Sequence, residues 1–174
     1  MADYITHPLL QHDMVERRLY QEVMVASALE KGNTLVVAPT ALGKTVVAAL
    51  LIAHLLQSHP EKKILFLAPT KPLAVQHQTR LREFLRLHPD TINVLTGSVS
   101  PEERKHVWSE STIITATPQT IENDLLTGKL DLKEVQLIIF DEAHRAVKDY
   151  SYVFLAQKYQ TIPSTEKNPK LILA

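Results

Sequence analysis

Short apolar runs alternate with helical segments along this chain, and that alternation restricts its fold more than any other feature. Each run is apolar at almost every position, whereas a strand with one face in water would alternate apolar and polar residues. Strands that are buried on both faces belong to parallel sheets that helices cover on each side. The sequence therefore predicts an α/β fold with a parallel sheet. The predicted strands cover residues 34–38, 63–68, 91–95, 112–116, 136–140 and 170–174.

The segments between these strands carry helix signals. Ser100 and Glu103 flank Pro101 in the pattern of a capping box, with proline at the first helical position. Thr117 is predicted to cap a later helix that ends before Gly128. In parallel sheets of this kind ligands bind at the carboxyl ends of the strands, so the functional residues are expected there. Four predicted helices cover residues 14–31, 44–58, 72–87 and 150–160. Two more begin at residues 101 and 118.

Length and composition limit the number of domains and the kinds of site that the chain could contain. With 174 residues the chain has the size of one domain, which we place at residues 14–174, behind an N-terminal extension of residues 1–13. Cysteine is absent, which excludes a disulfide framework, a thiolate zinc site and a thiol nucleophile. The longest apolar stretch, Val46 to Leu56, is eleven residues long and too short to span a bilayer. No signal peptide is indicated, and we expect a cytoplasmic location.

The charge balance limits how the chain could bind nucleic acid. Nineteen basic residues balance nineteen acidic ones, so a broad basic surface is not indicated. Contacts between a phosphate backbone and N–H groups or helix N-termini remain open, because they need little net charge.

A turn that could hold phosphate follows the first predicted strand. Its backbone N–H groups would point at phosphate oxygens, and Gly43 permits a close approach. Lys44 would neutralise the β and γ phosphates of ATP, and Thr45 would bind Mg²⁺. The alternative is a chance Gly-Lys-Thr sequence at a helix start, with a solvated lysine. The turn differs from G-x-x-x-x-G-K-[ST] only at its first position, and it reads Ala38-Pro39-Thr40-Ala41-Leu42-Gly43-Lys44-Thr45.

An acidic pair directly follows the fifth predicted strand. Asp141 would hold Mg²⁺ and Glu142 would act as general base toward an attacking water, while His144 could sense the γ phosphate. The alternative is that both acids only cap the next helix. The other seven histidines lack metal-ligand spacing, and we predict that they are surface or packing residues; examples are His54, His59 and His106.

The motifs in this order resemble those of superfamily 2 helicases, the DEAD/DEAH-box class. Residues 38–45 resemble motif I, residues 141–144 motif II and residues 68–77 motif Ia. The resemblance implies the first of two RecA-like P-loop domains, with ATP in the cleft between the two domains and single-stranded nucleic acid across both. It also implies that Gln21, preceded by Arg18, reads the adenine.

A narrower resemblance is carried by four segments, residues 68–73, 100–104, 116–125 and 141–147. They resemble the archaeal Hef and Fanconi-anaemia group M branch of that class. This narrower resemblance implies a motor that acts on forked or branched DNA, associated with the nucleoid, with DNA a more probable partner than RNA. Hydroxyls and N–H groups at the strand ends would then contact the nucleic-acid backbone. The alternative for each threonine is an ordinary helix cap. The residues expected at this surface are Thr70, Lys71, Gln76, Thr96, Gly97, Thr117 and Pro118.

Two departures from the family pattern carry further expectations. Ala41 stands where the family has glycine, which would cost about 1 kcal/mol if that position needs a positive φ. The chain stops at Ala174 within an apolar run, so we expect a fragment that lacks the second RecA-like domain and hydrolyses ATP poorly alone. Two alternatives stay open, namely an RNA-stimulated ATPase of the same architecture and a non-catalytic, nucleotide-gated nucleic-acid-binding module.

Overall fold

A computed structural model describes residues 1–37, 43–147, 150–167 and 169–174. At its centre is a five-stranded sheet in the order β2-β3-β1-β4-β5, with every neighbouring pair parallel. The predicted α/β fold is confirmed. The strands are β1 (Lys63–Leu67), β2 (Ile92–Leu95), β3 (Ile113–Ala116), β4 (Val135–Phe140) and β5 (Leu171–Leu173). The helices are α1 (Leu19–Lys31), α2 (Lys44–Ser58), α3 (Lys71–Phe84), α4 (Pro101–Glu110), α5 (Pro118–Leu126) and α6 (Tyr150–Gln160).

Helices cover both faces of the sheet because successive residues of a strand point to opposite sides. In β1, Ile64 and Phe66 pack in a core with α1, α2 and α3. Leu65 and Leu67 pack in a second core with α4, α5 and α6. Every residue of α2 from Val47 to Ala53 is buried, which explains why this helix is apolar on nearly all sides.

The first predicted strand, residues 34–38, does not form a regular strand over its described residues, 34–37. Thr34 forms a single parallel bridge with Leu173 of β5. Within the described residues this segment pairs on one side only, and the side chains of Leu35 and Val37 are 66% and 84% exposed. Because it runs parallel to β5, its carboxyl end still points to the edge of the sheet where the other strands end.

Helix α1 begins at Leu19, later than predicted. The preceding residues instead pair with the N-terminus, since Ile5 N donates to Val15 O at 2.8 Å and Arg17 N donates to Asp3 O at 2.7 Å. A backbone that is hydrogen-bonded across to another segment in this way cannot join the helix.

Helix α3 ends at Phe84 rather than at residue 87, because Leu85 is extended and buried and forms a bridge with Leu10. Leu10 itself is buried in the α1–α3 core, so the N-terminal residues pack against the remainder of the chain. The division into an extension, residues 1–13, and a domain, residues 14–174, stays a prediction.

The two predicted helix caps differ in outcome. Ser100 Oγ accepts a hydrogen bond from Glu103 N at 3.3 Å at the start of α4, which confirms that cap. Thr117 is the N-cap residue of α5, as predicted, but its hydroxyl lies 3.0 Å from the hydroxyl of Thr120 and makes no cap hydrogen bond with a backbone N–H of α5. A second hydroxyl one turn along the helix competes successfully for this side chain.

Candidate functional site

Asp141 lies directly after β4, at the carboxyl edge of the sheet, and its backbone is held from two sides. Its N–H donates to Leu67 O of the neighbouring strand at 2.9 Å. The hydroxyl of Tyr152, on α6, donates to Asp141 O at 2.7 Å. The side chain is 26% exposed. The fold therefore fixes the position of this carboxylate while leaving part of it open to a ligand.

His77 of α3 contacts that carboxylate. Its Nε2 lies 2.8 Å from Asp141 Oδ2, and its ring stacks on Phe66 with centroids 4.3 Å apart. The prediction that His77 is only a surface or packing residue agrees with the stacking of its ring on Phe66. It does not account for the hydrogen bond to Asp141. Ala74 and His77 are one helical turn apart and both are buried, so the spacing could place His77 on the inner face of α3 but could not identify Asp141 as its partner.

Glu142 occupies a left-handed backbone conformation with φ 57°, which is uncommon for a residue other than glycine and concentrates at functional sites. Its Oε2 lies 3.3 Å from His144 Nε2, and the His144 side chain is exposed. The Asp141 side chain bonds to His77 rather than to the following 3₁₀ helix, Ala143–Val147. The capping alternative is thus not what holds the Asp141 side chain in place.

The start of α2 has the close packing that a phosphate-binding turn needs. Gly43 has a left-handed backbone, with φ 70° and ψ 48°. A Cβ built on Gly43 would lie 2.6 Å from Gln21 Nε2, and that amide lies 3.5 Å from Gly43 O. Lys44 is exposed at the first helical position and Thr45 is half-buried. Ala38, Pro39, Thr40, Ala41 and Leu42 lie outside the described residues.

Gln21 and Arg18, the two residues expected near adenine, are placed differently. Gln21 is buried and contacts Gly43. Arg18 is exposed at the N-terminus of α1, where its Nη2 lies 2.9 Å from Glu16 Oε2. The structure thus brings Gln21 to the predicted phosphate turn and leaves Arg18 on the surface.

Hydrogen bonds link α3 to the loop after β2, residues 96–99, which we call the Thr96 loop. Lys71 Nζ donates to Ser98 Oγ at 3.0 Å, and Ser98 Oγ lies 2.8 Å from Thr96 Oγ1. Thr70 caps α3 by accepting a bond from Leu73 N at 3.4 Å. Lys71 is exposed, so this group presents a cation at the carboxyl edge of the sheet.

The remaining residues predicted for this surface fall into two groups. Gln76 and Gly97 are exposed, and Thr117 is half-buried. Pro118 is buried in the first turn of α5, so its ring supports the helix start rather than facing solvent. The hydroxyls of Thr70, Thr96 and Thr117 all have protein partners.

A buried ion pair that the sequence analysis missed holds the Thr96 loop. Arg104 of α4 donates to both carboxylate oxygens of Asp124 on α5, each at 2.7 Å. Its Nη1 donates to Val99 O, in the loop, at 2.5 Å. The hydrogen bonds to Asp124 raise the pKa of the Arg104 guanidinium. Both residues are buried, and nothing in their local sequence distinguishes them from solvated charges.

The oxygen donors available here fit Mg²⁺ on chemical grounds. Asp141 offers a carboxylate and Thr45 a hydroxyl, and both are hard oxygen ligands. In the described part of the chain, no group of three or more His, Asp or Glu side chains could hold a metal alone. In proteins Mg²⁺ is commonly bound by one or two carboxylates together with substrate phosphates.

Known proteins similar to this chain are helicases. A family model described as DEAD/DEAH box helicase matches residues 18–173. The crystal structure of the Pyrococcus furiosus Hef helicase domain is similar with a TM-score of 0.86 and 47% sequence identity, over 95% of this chain and 34% of that chain. A Methanocaldococcus jannaschii protein, provisionally named an ATP-dependent RNA helicase, is 43% identical over 90% of this chain and 20% of its own length. The ATP-dependent DNA helicase mph1 of Sclerotinia sclerotiorum is 42% identical over 82% of this chain and 11% of its own length.

These matches confirm the predicted resemblance to superfamily 2 helicases and to their Hef branch. The chain spans between 11% and 34% of the length of these three proteins. Both named relatives are ATP-dependent, so nucleotide use is common to them. None of the helices in the described ranges is both long and apolar enough to cross a membrane.

Proposed function

Because the chain belongs to the DEAD/DEAH box helicase family, we propose that the protein containing it is an ATP-dependent DNA helicase or translocase that acts on forked or branched DNA. The observation that carries this proposal is the Asp141-Glu142 pair held at the carboxyl end of β4, with Gly43, Lys44 and Thr45 at the start of α2. Charged groups in that arrangement suit phosphoryl transfer, which depends on positioning and on neutralisation of phosphate charge.

Each residue has a role in this chemistry. Lys44 and the backbone N–H groups of residues 38–45, other than Pro39, would hold the phosphates, and Gln21 with Arg18 would contact the adenine. Thr45 and Asp141 hold Mg²⁺, which would neutralise phosphate charge when bound. Glu142 accepts the proton of the attacking water. His144 lies beside Glu142, where it is placed to sense loss of the γ phosphate.

Nucleic acid would cross the surface formed by the start of α3, the Thr96 loop and the start of α5. Exposed Lys71 supplies a cation, and backbone N–H groups supply the remaining contacts to phosphate. Such contacts do not depend on base identity, as a motor that steps along any sequence requires. The residues proposed for this surface are Thr70, Lys71, Gln76, Thr96, Gly97, Thr117 and Pro118, of which Pro118 is buried and supports the start of α5.

The proposed motor needs a second RecA-like domain. The relatives are several times longer than the matched segment, which leaves ample length for one in the whole protein. ATP would then close two domains on the strand, and hydrolysis assisted by Glu142 would release them.

RNA is the second candidate substrate, because the Methanocaldococcus jannaschii relative is named as an RNA helicase. The test is ATP hydrolysis by the whole protein in the presence of forked DNA, single-stranded DNA or duplex RNA. The proposal predicts the highest turnover with forked DNA. Glu142→Gln is the catalytic control, and it should lower turnover by about 100-fold or more while ATP binding persists.

Each result of this test decides between the candidates. Stronger stimulation by duplex RNA would replace the DNA assignment with the RNA one. Absence of turnover with every nucleic acid, together with retained ATP binding, would favour the nucleotide-gated binding module.

A further inference from the structure

Helix α3 contributes to both parts of the carboxyl edge. It begins at Thr70 and Lys71, beside the Thr96 loop, and two turns later His77 reaches Asp141 at 2.8 Å. The two partners are 64 residues apart in sequence. Their contact therefore depends on how α3 is seated against the sheet.

Packing alone gives a poor account of a histidine at this position. The ring is buried against Phe66, where a phenylalanine would offer the same stacking surface without polar atoms. Within the described ranges, His77 Nδ1 is buried without a hydrogen-bond partner. A buried polar group costs free energy when it is not hydrogen-bonded. The compensating feature of this imidazole is its bond to the Asp141 carboxylate.

We propose that His77 is a positioning residue for Asp141, an inference that rests on the proposed function. Nε2–H donates to Oδ2 and fixes the plane of the carboxylate, so that Oδ1 is presented to the metal and nucleotide. Partners of this kind orient a metal ligand without touching the metal, and their loss typically costs 10- to 100-fold in metal affinity.

The test uses two variants of His77, one that loses the hydrogen-bond donor and one that loses the ring. His77→Phe keeps a ring to stack on Phe66 and removes the donor. His77→Gln removes the ring and keeps an N–H donor near the place of Nε2. Binding of a fluorescent ATP analogue is measured over a Mg²⁺ titration and in EDTA, and thermal unfolding reports on the fold. The matched surface controls are His106→Phe and His106→Gln, since His106 is exposed on α4.

A positioning role predicts that His77→Phe needs about 10-fold more Mg²⁺ for half-maximal nucleotide binding. Its affinity in EDTA should stay unchanged, and His77→Gln should remain within about threefold of the wild type. In an Asp141→Ala background, His77→Phe should have no further effect on the Mg²⁺ requirement, because the group it acts through is gone.

A packing role predicts the opposite pattern in the Mg²⁺ requirement: His77→Phe would equal the wild type and His77→Gln would be impaired. That result would overturn the positioning role of His77 and leave the proposed function standing. If His77→Phe does not fold, His77→Gln still decides, because it lacks the ring and retains the donor. If the wild type binds the analogue equally with and without Mg²⁺, the metal role of Asp141 fails, and the proposed chemistry fails with it.

Discussion

Two regions of the carboxyl edge differ in how far their polar side chains are already bonded within the protein. In the region beside β1, β2 and β3, which we call the strand-end region, the hydroxyls of Thr70, Thr96 and Thr117 all have protein partners. In the region formed by the end of β4 and the start of α2, the nucleotide region, Lys44 is exposed and Asp141 is held through Oδ2. Hydroxyls that are already bonded shape loops, whereas open charges remain available to a ligand.

This difference changes what each region is expected to contribute. In the strand-end region, N–H groups and Lys71 are the expected contacts to phosphate, and the threonines mainly hold the backbone that presents them. In the nucleotide region the side chains themselves carry the chemistry. Substitutions in the first region should therefore act through structure, and those in the second through charge.

The largest expected effect comes from breaking the support of the strand-end region. Arg104→Met leaves Asp124 buried without its partner, so we expect a loss of about 3–5 kcal/mol in the free energy of unfolding. Denaturant unfolding measures this loss. Under conditions where the variant is folded, nucleic-acid affinity should fall while nucleotide affinity is kept, because Arg104 also holds Val99 O in the Thr96 loop.

Two variants control this prediction. Arg104→Met combined with Asp124→Leu removes both charges and should recover most of the lost stability. Arg80→Met breaks the exposed pair with Glu83 and should cost less than about 1 kcal/mol. Equal stability of Arg104→Met and the wild type would show that the pair does not support the loop.

A smaller effect is expected at the start of the nucleotide region. Gly43→Ala forces an L residue into a left-handed backbone, which costs about 1–2 kcal/mol, and places a Cβ 2.6 Å from Gln21 Nε2. We expect lower stability and weaker binding of a fluorescent ATP analogue, with nucleic-acid affinity unchanged. Thermal unfolding and fluorescence titration measure the two quantities.

Two other glycines serve as controls that separate the cost of the left-handed backbone from the cost of the close contact with Gln21. Gly128 has φ 72° but no atom within 4 Å of a built Cβ, so Gly128→Ala reports the backbone cost alone. Gly97 likewise has no atom within 4 Å, and Gly97→Ala should be nearly neutral for stability. If Gly43→Ala costs no more than Gly128→Ala, the close approach of Gln21 has no energetic weight beyond the backbone cost.

The smallest effect concerns the one cation assigned to the strand-end region. Lys71→Met keeps the aliphatic stem and removes one charge, so the slope of log affinity for nucleic acid against log salt should fall by about 1. Fluorescence anisotropy with forked DNA at several salt concentrations measures the slope. Lys31→Met is the matched control, because Lys31 is exposed in the last turn of α1, at the opposite edge of the sheet. An unchanged slope for Lys71→Met would remove Lys71 from the proposed interface.

Much of the fold was predictable because buried strands and helix starts have local signatures. The near-continuous apolar runs predicted β1 to β5 to within a residue or two. The exception is the segment 34–38, whose apolar residues resemble those of a central strand although its described residues, 34–37, pair with β5 on one side only. A short apolar run does not specify which strands pair with it. The sequence therefore could not distinguish a segment at the edge of the sheet from a central strand.

The candidate site likewise contains residues that local sequence could indicate and one residue that it could not. Asp141, Glu142 and Gly43 could be proposed as site residues from the sequence, because turn chemistry and charge at a strand end are local properties. His77 was not, because its role depends on a partner 64 residues away. The roles of Ala38, Pro39, Thr40, Ala41 and Leu42 stay predictions, since these residues lie outside the described ranges.

By itself, the sequence determined the class of fold, the edge of the sheet where the candidate site is proposed and the residue types suited to bind phosphate and Mg²⁺. These follow from the periodicity of apolar residues and from the backbone freedom of glycine, both of which act over a few neighbouring residues. Only the tertiary structure decided which strands are neighbours, that Arg104 and Asp124 form a buried pair, and that His77 holds Asp141. Those contacts depend on packing between elements distant in the chain, where distances of a few tenths of an ångström decide whether a hydrogen bond forms.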